Sequence, residues 1–353
     1  MLIRSRRLRS LNERTGEVIL RSAGCLFAAT VCVVMVASGA LPAAAVDASE
    51  GASDSASEAV ADVAKLGEQT VSETVSPSDL PDSANADVTF VNLPLSISVV
   101  TDTTEKAVSI DGLAVFPSTS EGVSTVVQPT ATGARLLSVH DGPTADMTQQ
   151  YRIDLEGGAQ LHQLDDGSVI VVKNGVPVGG IDQPWAVGAD GELVATQLTL
   201  QGATLTQAIK PTASTVFPVV ADPMLYGNYM NSAECSFCQW PSRWAICNTA
   251  FRDSNTADAA ARNTFSGSLH NGKGDAFRHC YWSALMTIHM GRATAAGFGD
   301  RHEESPGQPN IEYAMDQRNN AIGRDKVGQY TSSPQVALGS CRNRANGGSC
   351  GGS

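Results

Sequence analysis

Short runs of apolar residues, many of them alternating with polar ones, follow one another between residues 87 and 222. These runs are Val88–Val100, Val123–Gln128, Ala134–Val139, Gln150–Leu155, Ser168–Val172, Leu193–Leu200 and Thr204–Ile209. Turn sequences such as Lys173-Asn174-Gly175 separate them at roughly 8–12-residue spacing, which is typical of all-β domains. Residues 87–222 are therefore predicted to form a β-rich module, either a sandwich or a barrel-like fold.

The spacing of apolar residues becomes helical in the last part of the chain, residues 223–353. Apolar residues recur every three or four positions from Phe277 to Ile288, and Gly291 follows them, which predicts an amphipathic helix that ends there. The other predicted helices are Arg243–Phe251, Thr256–Ala261 capped by Asn255, Ile311–Arg324, and a short Ala/Gly-rich segment ending at Arg301-His302-Glu303-Glu304. Residues 223–353 are thus predicted to be a small, mainly α-helical domain, with the boundary at Pro223 because proline cannot donate to a sheet.

The overall net charge of −12 is the average of two differently charged regions. Residues 47–222 carry 6 basic and 24 acidic side chains, whereas residues 223–353 carry 12 and 10. The acidic front argues against a nucleic-acid partner, and the helical region has no basic cluster beyond Arg318, Arg324 and Lys326. Lipid or cell-wall material is therefore ranked above nucleic acid as the unknown substrate, with association with the cell envelope left open.

The first 45 residues have the pattern of a secretory signal peptide. A basic start is followed by the uncharged apolar run Ala23–Ala40 and then by small residues around Ala45, where cleavage is predicted. The alternative is a membrane anchor through residues 23–40, because this run approaches the ~20 residues that a bilayer span needs. Residues 46–86 contain few large apolar side chains, so they are predicted to be a disordered acidic linker.

All cysteines that follow the predicted signal peptide lie in the last third of the chain. They are Cys235, Cys238, Cys247, Cys280, Cys341 and Cys350. An even number of cysteines in an exported segment predicts up to three disulfides and a disulfide-braced domain. The pairing cannot be deduced from sequence, although a Cys341–Cys350 bond would tie down the Gly/Asn-rich tail. A redox or zinc motif at Cys235-Ser236-Phe237-Cys238 would need flanking elements that the sequence does not contain.

The candidate functional residues lie on the predicted helices. Asp275 and His279 are four residues apart, so they share a helix face on which the carboxylate can orient the imidazole. Arg278 and Trp282 form a second such pair, and their side chains could stack. The candidate catalytic residues are Asp275, Arg278, His279, His302, Glu303, Asp316, Asn320 and Arg324. Three predicted helices could bring them around one cleft.

One chemistry that fits these residues is metal-assisted hydrolysis. His279, His302 and Asp316 would hold a divalent metal, and Glu303 would act as the base, with one coordination position left open for water. No HExxH motif is present, since His302-Glu303 has no second histidine at the required spacing. The cofactor therefore remains unknown at this stage.

A second chemistry needs no metal. His279, oriented by Asp275, would activate water or a substrate hydroxyl, and Arg278 or Arg324 would stabilise an oxyanion or a phosphate. The chain has no GxSxG nucleophile elbow that would indicate another mechanism. The same residues can also form a structural polar network in a non-catalytic cell-surface or interaction domain. The sequence thus predicts a hydrolase or effector, with the interaction domain as the alternative.

Part of the helical region resembles an uncharacterised bacterial secreted domain family. The resemblance rests on Asn271-Gly272-x-Gly274-Asp275-Ala276-Phe277-Arg278-His279-x-x-Trp282, on His302-Glu303 and on Met315-Asp316-x-x-Asn319-Asn320-x-x-Gly323-Arg324. It implies that these polar positions form one site, without naming a substrate. A weaker similarity is to secreted bacterial phospholipase A2, in which an aspartate after the histidine helps to bind calcium. Cys280 takes that place here, which departs from the calcium-binding pattern.

The end of the β-rich module also resembles a known type of segment. Pro184-Trp185-Ala186-Val187, Asp190-Gly191, Leu205-x-Gln207 and Phe217–Pro223 are similar to the strand-rich segment that precedes varied C-terminal domains in secreted actinobacterial proteins. The resemblance implies a modular protein, in which a shared export or presentation piece is followed by a distinct effector domain.

Overall fold

The structure, a computed structural model, describes residues 54, 56–60, 81, 83–90, 93–101, 106–110, 113–117, 122–129, 133–228, 230–304 and 309–348. A β-rich region is followed by a mainly helical, disulfide-braced region, which confirms the predicted fold class. The predicted signal peptide, with its alternative anchor at residues 23–40, and Cys350 lie outside these residues. None of the helices in the described ranges combines the length and the apolar character needed to cross a bilayer.

The strands of the β-rich region pair in antiparallel fashion. They are β1 (Val88–Thr89), β2 (Leu95–Val99), β3 (Val108–Ile110), β4 (Leu113–Phe116), β5 (Val123–Pro129), β6 (Gly133–His140), β7 (Thr148–Leu155), β8 (Ala159–Gln163), β9 (Val169–Lys173), β10 (Val176–Ile181), β11 (Ala186–Gly188), β12 (Ala195–Gln201), β13 (Thr204–Lys210), β14 (Val219–Ala221) and β15 (Met224–Gly227). One sheet has the order β1-β2-β7-β13-β12. The other has the order β3-β4-β5-β6-β15-β10-β9-β8, and β14 pairs with both β6 and β11.

The two sheets share one apolar core. Ile97 and Ile153 from the first sheet are buried in the same cluster as Leu136 and Val171 from the second. The alternation along β7 explains this burial, because Ile153 faces the core while its neighbour Arg152 is exposed. The β-rich region is therefore a sandwich of two antiparallel sheets.

Part of the predicted disordered linker packs against this sandwich. Residues 56–60 are helical, and Ala56 and Val60 are buried with Val115 and Val126 of the larger sheet. The prediction of disorder across residues 46–86 is therefore wrong for this short segment. Residues 46–86 contain few large apolar side chains, but Ala56 and Val60, four residues apart, share one helix face and cover the sheet.

The larger sheet also continues past the predicted boundary at residue 222. Strand β15 pairs with β6 and β10, and its Leu225 and Tyr226 are almost fully buried. Pro223 lies in the break between β14 and β15, where its carbonyl oxygen accepts a hydrogen bond from the Leu136 amide. A proline in such a break costs the sheet no hydrogen bond, so the β-rich region ends at Gly227 and not at residue 222.

Six helices are described in the C-terminal region. They are α1 (Ser232–Cys238), α2 (Trp244–Phe265), α3 (Lys273–Met290), α4 (Arg292–Glu303), α5 (Asn310–Ile322) and α6 (Pro334–Asn346), and a π-helix at Gly323–Val327 continues α5. Helix α2 is continuous where two helices separated at Asn255 were predicted. Ala250, Ala257 and Ala261 form one buried stripe along it, and this packing overrides the local preference of asparagine for a cap.

Helix α3 is the centre of this region. It begins after Gly272, it ends at Gly291 as predicted, and it contacts α2, α4, α5 and α6. Phe277, Tyr281 and Leu285 are at most 2 % exposed, so nearly the whole helix surface is covered by its neighbours. The buried polar side chains in its first half, those of Asp275 and His279, must therefore find partners inside the protein.

The disulfides tie the other helices to α3 and α2. Cys280 on α3 is bonded to Cys341 on α6, Cys238 is bonded to Cys247, and Cys235 is disulfide-bonded as well. The predicted Cys341–Cys350 pair is wrong, because α6 packs along α3 and brings the Cα atoms of Cys341 and Cys280 to 5.8 Å. The general prediction of a disulfide-braced helical domain is confirmed.

Helix α2 also attaches the helical region to the sandwich. The Arg252 guanidinium forms an ion pair with Asp182, which directly follows β10. The Tyr226 hydroxyl on β15 donates to Asn248 Oδ1, and Asn248 Nδ2 donates to Ser168 Oγ. Tyr226 and Asn248 are almost fully buried, so this contact is part of the folded interior.

Replacing Cys280 and Cys341 together by alanine is expected to destabilise the helical region selectively. The disulfide joins residues that are 61 positions apart, so it lowers the entropy of the unfolded chain and stabilises the folded state by about 4 kcal/mol. Hydrogen exchange followed peptide by peptide should show faster exchange in α3 and α6, with little change in β7 and β13. The matched double replacement of Cys238 and Cys247, which closes a much shorter loop, should have a smaller effect. Equal loss of protection in the sandwich would contradict the selective role.

Candidate functional site

The candidate site begins at the tight entry into α3. Gly274 passes close to the preceding segment, so that a Cβ atom there would lie 2.8 Å from the Ser268 carbonyl oxygen. Asn271 has a left-handed backbone (φ 54°), and its amide donates to Asp275 Oδ2 at 2.9 Å. This entry holds one carboxylate oxygen of Asp275, while Oδ1 faces His279 one turn further along α3.

Helix α5 crosses α3 closely at the same level. A Cβ atom on Gly323 would lie 2.0 Å from the carbonyl oxygen of Cys280, so only glycine fits at this crossing. The approach places Asp316 and Asn320 of α5 beside His279, and all three are nearly fully buried. The site therefore depends on backbone contact between two helices.

One edge of the His279 ring is held by neutral and acidic partners. Nδ1 lies 3.3 Å from Asn320 Oδ1 and 3.4 Å from Glu303 Oε1. Asn320 is itself fixed, because its Nδ2 donates to Glu303 at 2.7 Å and its Oδ1 accepts from Ser283 Oγ at 3.1 Å. These contacts are consistent with a proton on Nδ1 and orient the imidazole.

The opposite edge of the ring faces two carboxylates and a guanidinium. Nε2 lies 3.5 Å from Asp275 Oδ1 and 3.5 Å from Asp316 Oδ1. Arg278 Nη2 lies 3.0 Å from Nε2 and donates to Asp275 Oδ1 at 2.6 Å. Since a guanidinium can only donate, Nε2 must carry the lone pair. The metal-binding atoms of Asp275, His279 and Asp316 all lie within 4.8 Å of one another.

Burial gives this group unusual protonation properties. Desolvation, together with the charges of Arg278 and His302, holds the pKa of His279 well below its usual value, so the ring is neutral. Desolvation and the neighbouring carboxylates of Glu303 and Asp275 raise the pKa of Asp316 from 3.8 to about 7. Three carboxyl groups, those of Asp275, Glu303 and Asp316, are thus buried next to His279.

His302 lies at the rim of the site, and its side chain is 32 % exposed. Its Nδ1 is 3.0 Å from Oε1 of the buried Glu234, and its ring packs edge-on against Trp282 at 4.7 Å and lies 6.1 Å from the His279 ring. Burial alone would lower the pKa of His302, but the hydrogen bond and charge of Glu234 outweigh it and raise the pKa. His302 is therefore a cationic neighbour below its raised pKa.

The structure brings most of the sequence-predicted residues together. Asp275, Arg278, His279, Glu303, Asp316 and Asn320 surround one point, and His302 flanks it. Arg324 lies apart, since its guanidinium is directed to Asp325 in the π-helix. Helical spacing put Arg324 on the stripe of Asp316 and Asn320, but the π-helix changes the rotation per residue at that point.

The geometry differs from the sequence-based prediction at three residues. The compact group of candidate ligand atoms consists of Asp275, His279 and Asp316, and His302, whose Nδ1 lies 3.0 Å from Glu234 Oε1, is not part of it. Glu303 lies on the Nδ1 edge of His279, where it holds the ring together with Asn320, and this contact suits orientation of the imidazole. Trp282 donates its indole N–H to the Ala250 carbonyl and does not stack on Arg278.

Sequence reasoning missed Glu234 and Asn231 at the start of α1. Asn231 and Glu234 form a capping box, a spacing that is readable from sequence. Asn231 Nδ2 also donates to the carbonyl oxygens of Arg301 and His302 at the end of α4. No local pattern could show that this helix start meets a histidine 68 residues later.

Part of the helical region is similar to an uncharacterised domain family. Residues 239–346 match the model of a domain of unknown function, DUF6973. The matched segment contains Asp275, His279 and Asp316, and it begins after Glu234.

Solved structures give little further information. A family GH92 alpha-mannosidase from Bacteroides thetaiotaomicron is matched at 10% identity over 54% of this chain and 28% of that chain, with a TM-score of 0.18. The same enzyme in complex with mannoimidazole is matched at 8% identity over 66% and 49%, with a TM-score of 0.16. This chain thus spans less than half of the length of those chains, and at these scores the likeness carries no argument.

Replacing Gly323 by alanine is expected to destabilise the protein by about 1–3 kcal/mol, because the added methyl group collides with the backbone of α3. The matched control is Gly339→Ala, in α6, where nothing lies within 4 Å of a built Cβ atom. That change should stabilise the helix by up to about 1 kcal/mol. Urea unfolding followed by circular dichroism measures both, and effects of the same sign would contradict the close crossing.

The stability of the metal-free protein is expected to depend on Asp316. The pKa of Asp316 is raised from 3.8 to about 7 in the folded protein. Its contribution to the free energy of unfolding is therefore fully present below pH 3.8. As the pH rises through 7, up to about 4 kcal/mol of that contribution is lost. In EDTA, urea unfolding should therefore show Asp316→Asn gaining stability over the wild type between pH 4 and pH 8. The exposed Asp300→Asn control should gain little, and an equal gain there would indicate a general charge effect.

Proposed function

We propose that the C-terminal helical region is a divalent-metal-dependent hydrolase with Asp275, His279 and Asp316 as metal ligands. The observation that carries this proposal is the spacing of three atoms. Asp275 Oδ1 and Asp316 Oδ1 each lie 3.5 Å from His279 Nε2. Ligand atoms about 2.1 Å from a tetrahedral ion are separated by about 3.4 Å, so these distances match two edges of such a site.

The charge of the pocket supports the same conclusion. Asp275, Glu303 and Asp316 are buried carboxylates, and Arg278 is the basic side chain in direct contact with this group. Desolvation and the neighbouring carboxylates make the charged form of Asp316 costly, which is why its pKa is raised. A divalent cation would stabilise the charged form of these carboxylates, and a set of one imidazole and two carboxylates suits zinc or a similar first-row ion.

The ligands are also oriented from behind, as metal ligands usually are. The Asn271 amide holds Asp275 Oδ2, and Asn320 with Glu303 holds His279 Nδ1. These hydrogen bonds and contacts are made to Asp275 Oδ2 and His279 Nδ1, so Asp275 Oδ1 and His279 Nε2 are the atoms left to bind the cation. Such supporting contacts fix the rotamer and tautomer of a ligand before the ion arrives.

With three protein ligands, a fourth position remains for water or substrate. A cation held by the three ligands would lower the pKa of a water molecule in this fourth position. It would also polarise the carbonyl or phosphoryl oxygen of a substrate bound there. His302 at the rim, held by Glu234, is placed to exchange protons with groups that enter from solvent. Lipid and cell-wall substrates remain the proposed classes, ranked above nucleic acid.

A metal-free hydrolase is the second candidate, and one observation favours it. The neutral His279 carries its lone pair on Nε2, and its ring nitrogens lie within 3.5 Å of Asp275, Asp316 and Glu303, which would stabilise an imidazolium formed by proton abstraction. A structural network in an interaction domain would show neither metal binding nor turnover. Metal binding and substrate turnover therefore distinguish the metal-dependent hydrolase, the metal-free hydrolase and the interaction domain.

We also propose that the protein is exported and acts outside the cytoplasm. The signal-like pattern of residues 1–45 and the disulfides of the helical region support this location. The sandwich would then serve as the presentation module on which the helical domain is carried, with Arg252 and Asn248 joining the two.

The metal proposal is tested by zinc titration of the chelator-treated full-length protein in a calorimeter. We expect one ion per chain in the wild type and a loss of affinity of about a hundredfold or more in His279→Gln. His289→Gln is the matched control, because His289 lies on the same helix but is paired with Asp253 at its other end. Equal affinity of the two variants would contradict the ligand assignment.

Activity is tested with phospholipid, phosphodiester and peptidoglycan substrates. Turnover that needs added metal and is lost in His279→Gln and Asp316→Asn supports the metal-dependent hydrolase. Turnover that persists in EDTA but is lost in His279→Gln would replace it by the metal-free mechanism. No turnover of any of these substrates by a metal-loaded protein would favour the interaction domain.

A further inference from the structure

The guanidinium of Arg278 lies where the proposed cation would lie. Its Nη2 atom donates to Asp275 Oδ1 at 2.6 Å and lies 3.0 Å from His279 Nε2. These are two of the three atoms that carry the metal proposal. Arg278 is thus the internal positive charge that partly balances the carboxylates.

We propose, on the basis of the metal centre argued above, that Arg278 and a divalent cation compete for Asp275 Oδ1 and His279 Nε2, so that metal loading turns the guanidinium outward to bind an anionic group of the substrate. Arg278 would therefore weaken metal binding and strengthen substrate binding. The side chain would weaken metal binding in its inward position and strengthen substrate binding in its outward position.

The ligands can release Arg278 without losing their orientation. Asp275 keeps the hydrogen bond from the Asn271 amide to Oδ2, and His279 keeps its Nδ1 contacts with Asn320 and Glu303. A bound ion would also repel the guanidinium, because both would carry positive charge at contact distance. The exchange therefore replaces one cation by another on an unchanged scaffold.

Arg278 has room to move outward. Its side chain is 25 % exposed, whereas those of Asp275 and His279 are at most 4 % exposed. Its long side chain can reach solvent by rotamer changes alone, while α3 stays in place. Already in its observed position, Arg278 is close enough to the partly exposed His302 for the two charges to influence each other.

Two cationic side chains at this rim define the substrate by charge. A guanidinium offers paired N–H donors that match the two oxygens of a phosphate or a carboxylate. The substrate class is accordingly an ester or amide that carries an anionic oxo group next to the scissile bond. A neutral substrate would gain nothing from Arg278 in the outward position.

The test compares Arg278→Met, which keeps the apolar stem but removes the charge, with the exposed Arg342→Met as a matched control. Zinc titration of the chelator-treated full-length proteins should show about tenfold to a hundredfold tighter binding in Arg278→Met, the size expected when the competing charge-assisted hydrogen bond to Asp275 is removed. Arg342→Met should bind zinc like the wild type. Arg278→Lys, which keeps a positive charge, should fall between them.

The second arm measures inorganic phosphate and acetate binding to the zinc-loaded proteins. Affinity for at least one of these anions should fall about tenfold in Arg278→Met, and the anion affected identifies the charged group of the substrate. A merely structural role for Arg278 would weaken both zinc and anion binding, so the opposite signs are the signature of the exchange.

The possible failures are distinguishable. If the wild type binds zinc and Arg278→Met binds it with equal or lower affinity, the competition is overturned but the metal centre stands. Zinc binding by neither protein removes the metal centre and this proposal with it. Tighter zinc binding without any loss of phosphate or acetate affinity overturns the outward role in substrate recognition.

Discussion

The structure of the helical region is governed by the burial of ionisable groups on a helix that has almost no solvent-facing side. Helix α3 contacts α2, α4, α5 and α6, so water cannot satisfy Asp275 or His279. Their partners must come from neighbouring helices, and each one has to be positioned by packing. Glu303 from α4 and Asn320 from α5 meet this requirement, and Gly323 permits the approach that brings Asn320 within reach.

Local features of the fold were predictable from sequence because they depend on spacing alone. The alternation along β7 and the helical period of α3 each report a buried face without reference to other elements. The short strands β3 and β4 and the strand after Pro223 have too few residues to show a period. The cap preference of Asn255 predicts a helix break, but the buried alanine stripe of α2 makes the helix continuous.

The site was predictable as a set of residues but not as an arrangement. The positions of Asp275 and His279 on one helix fix their shared face, whereas the distance from His279 to Asp316 depends on how α5 crosses α3. Sequence spacing left Arg278 free to stack on Trp282 or to pair with Asp275. The buried carboxylate prevailed, because an unpaired buried charge costs far more than the loss of a stacking contact.

The capping box of α1 joins two helix ends that are distant in sequence. Asn231 caps its own helix with Oδ1, and its Nδ2 satisfies the last carbonyl groups of α4 at Arg301 and His302. Since helix ends fray when their polar groups are unsatisfied, the two termini protect each other from solvent. The unit that unfolds together therefore starts at Asn231, several residues before the segment that the family match recognises at residue 239. A fragment cut at the family boundary would expose the end of α4 and release the very histidine that borders the site.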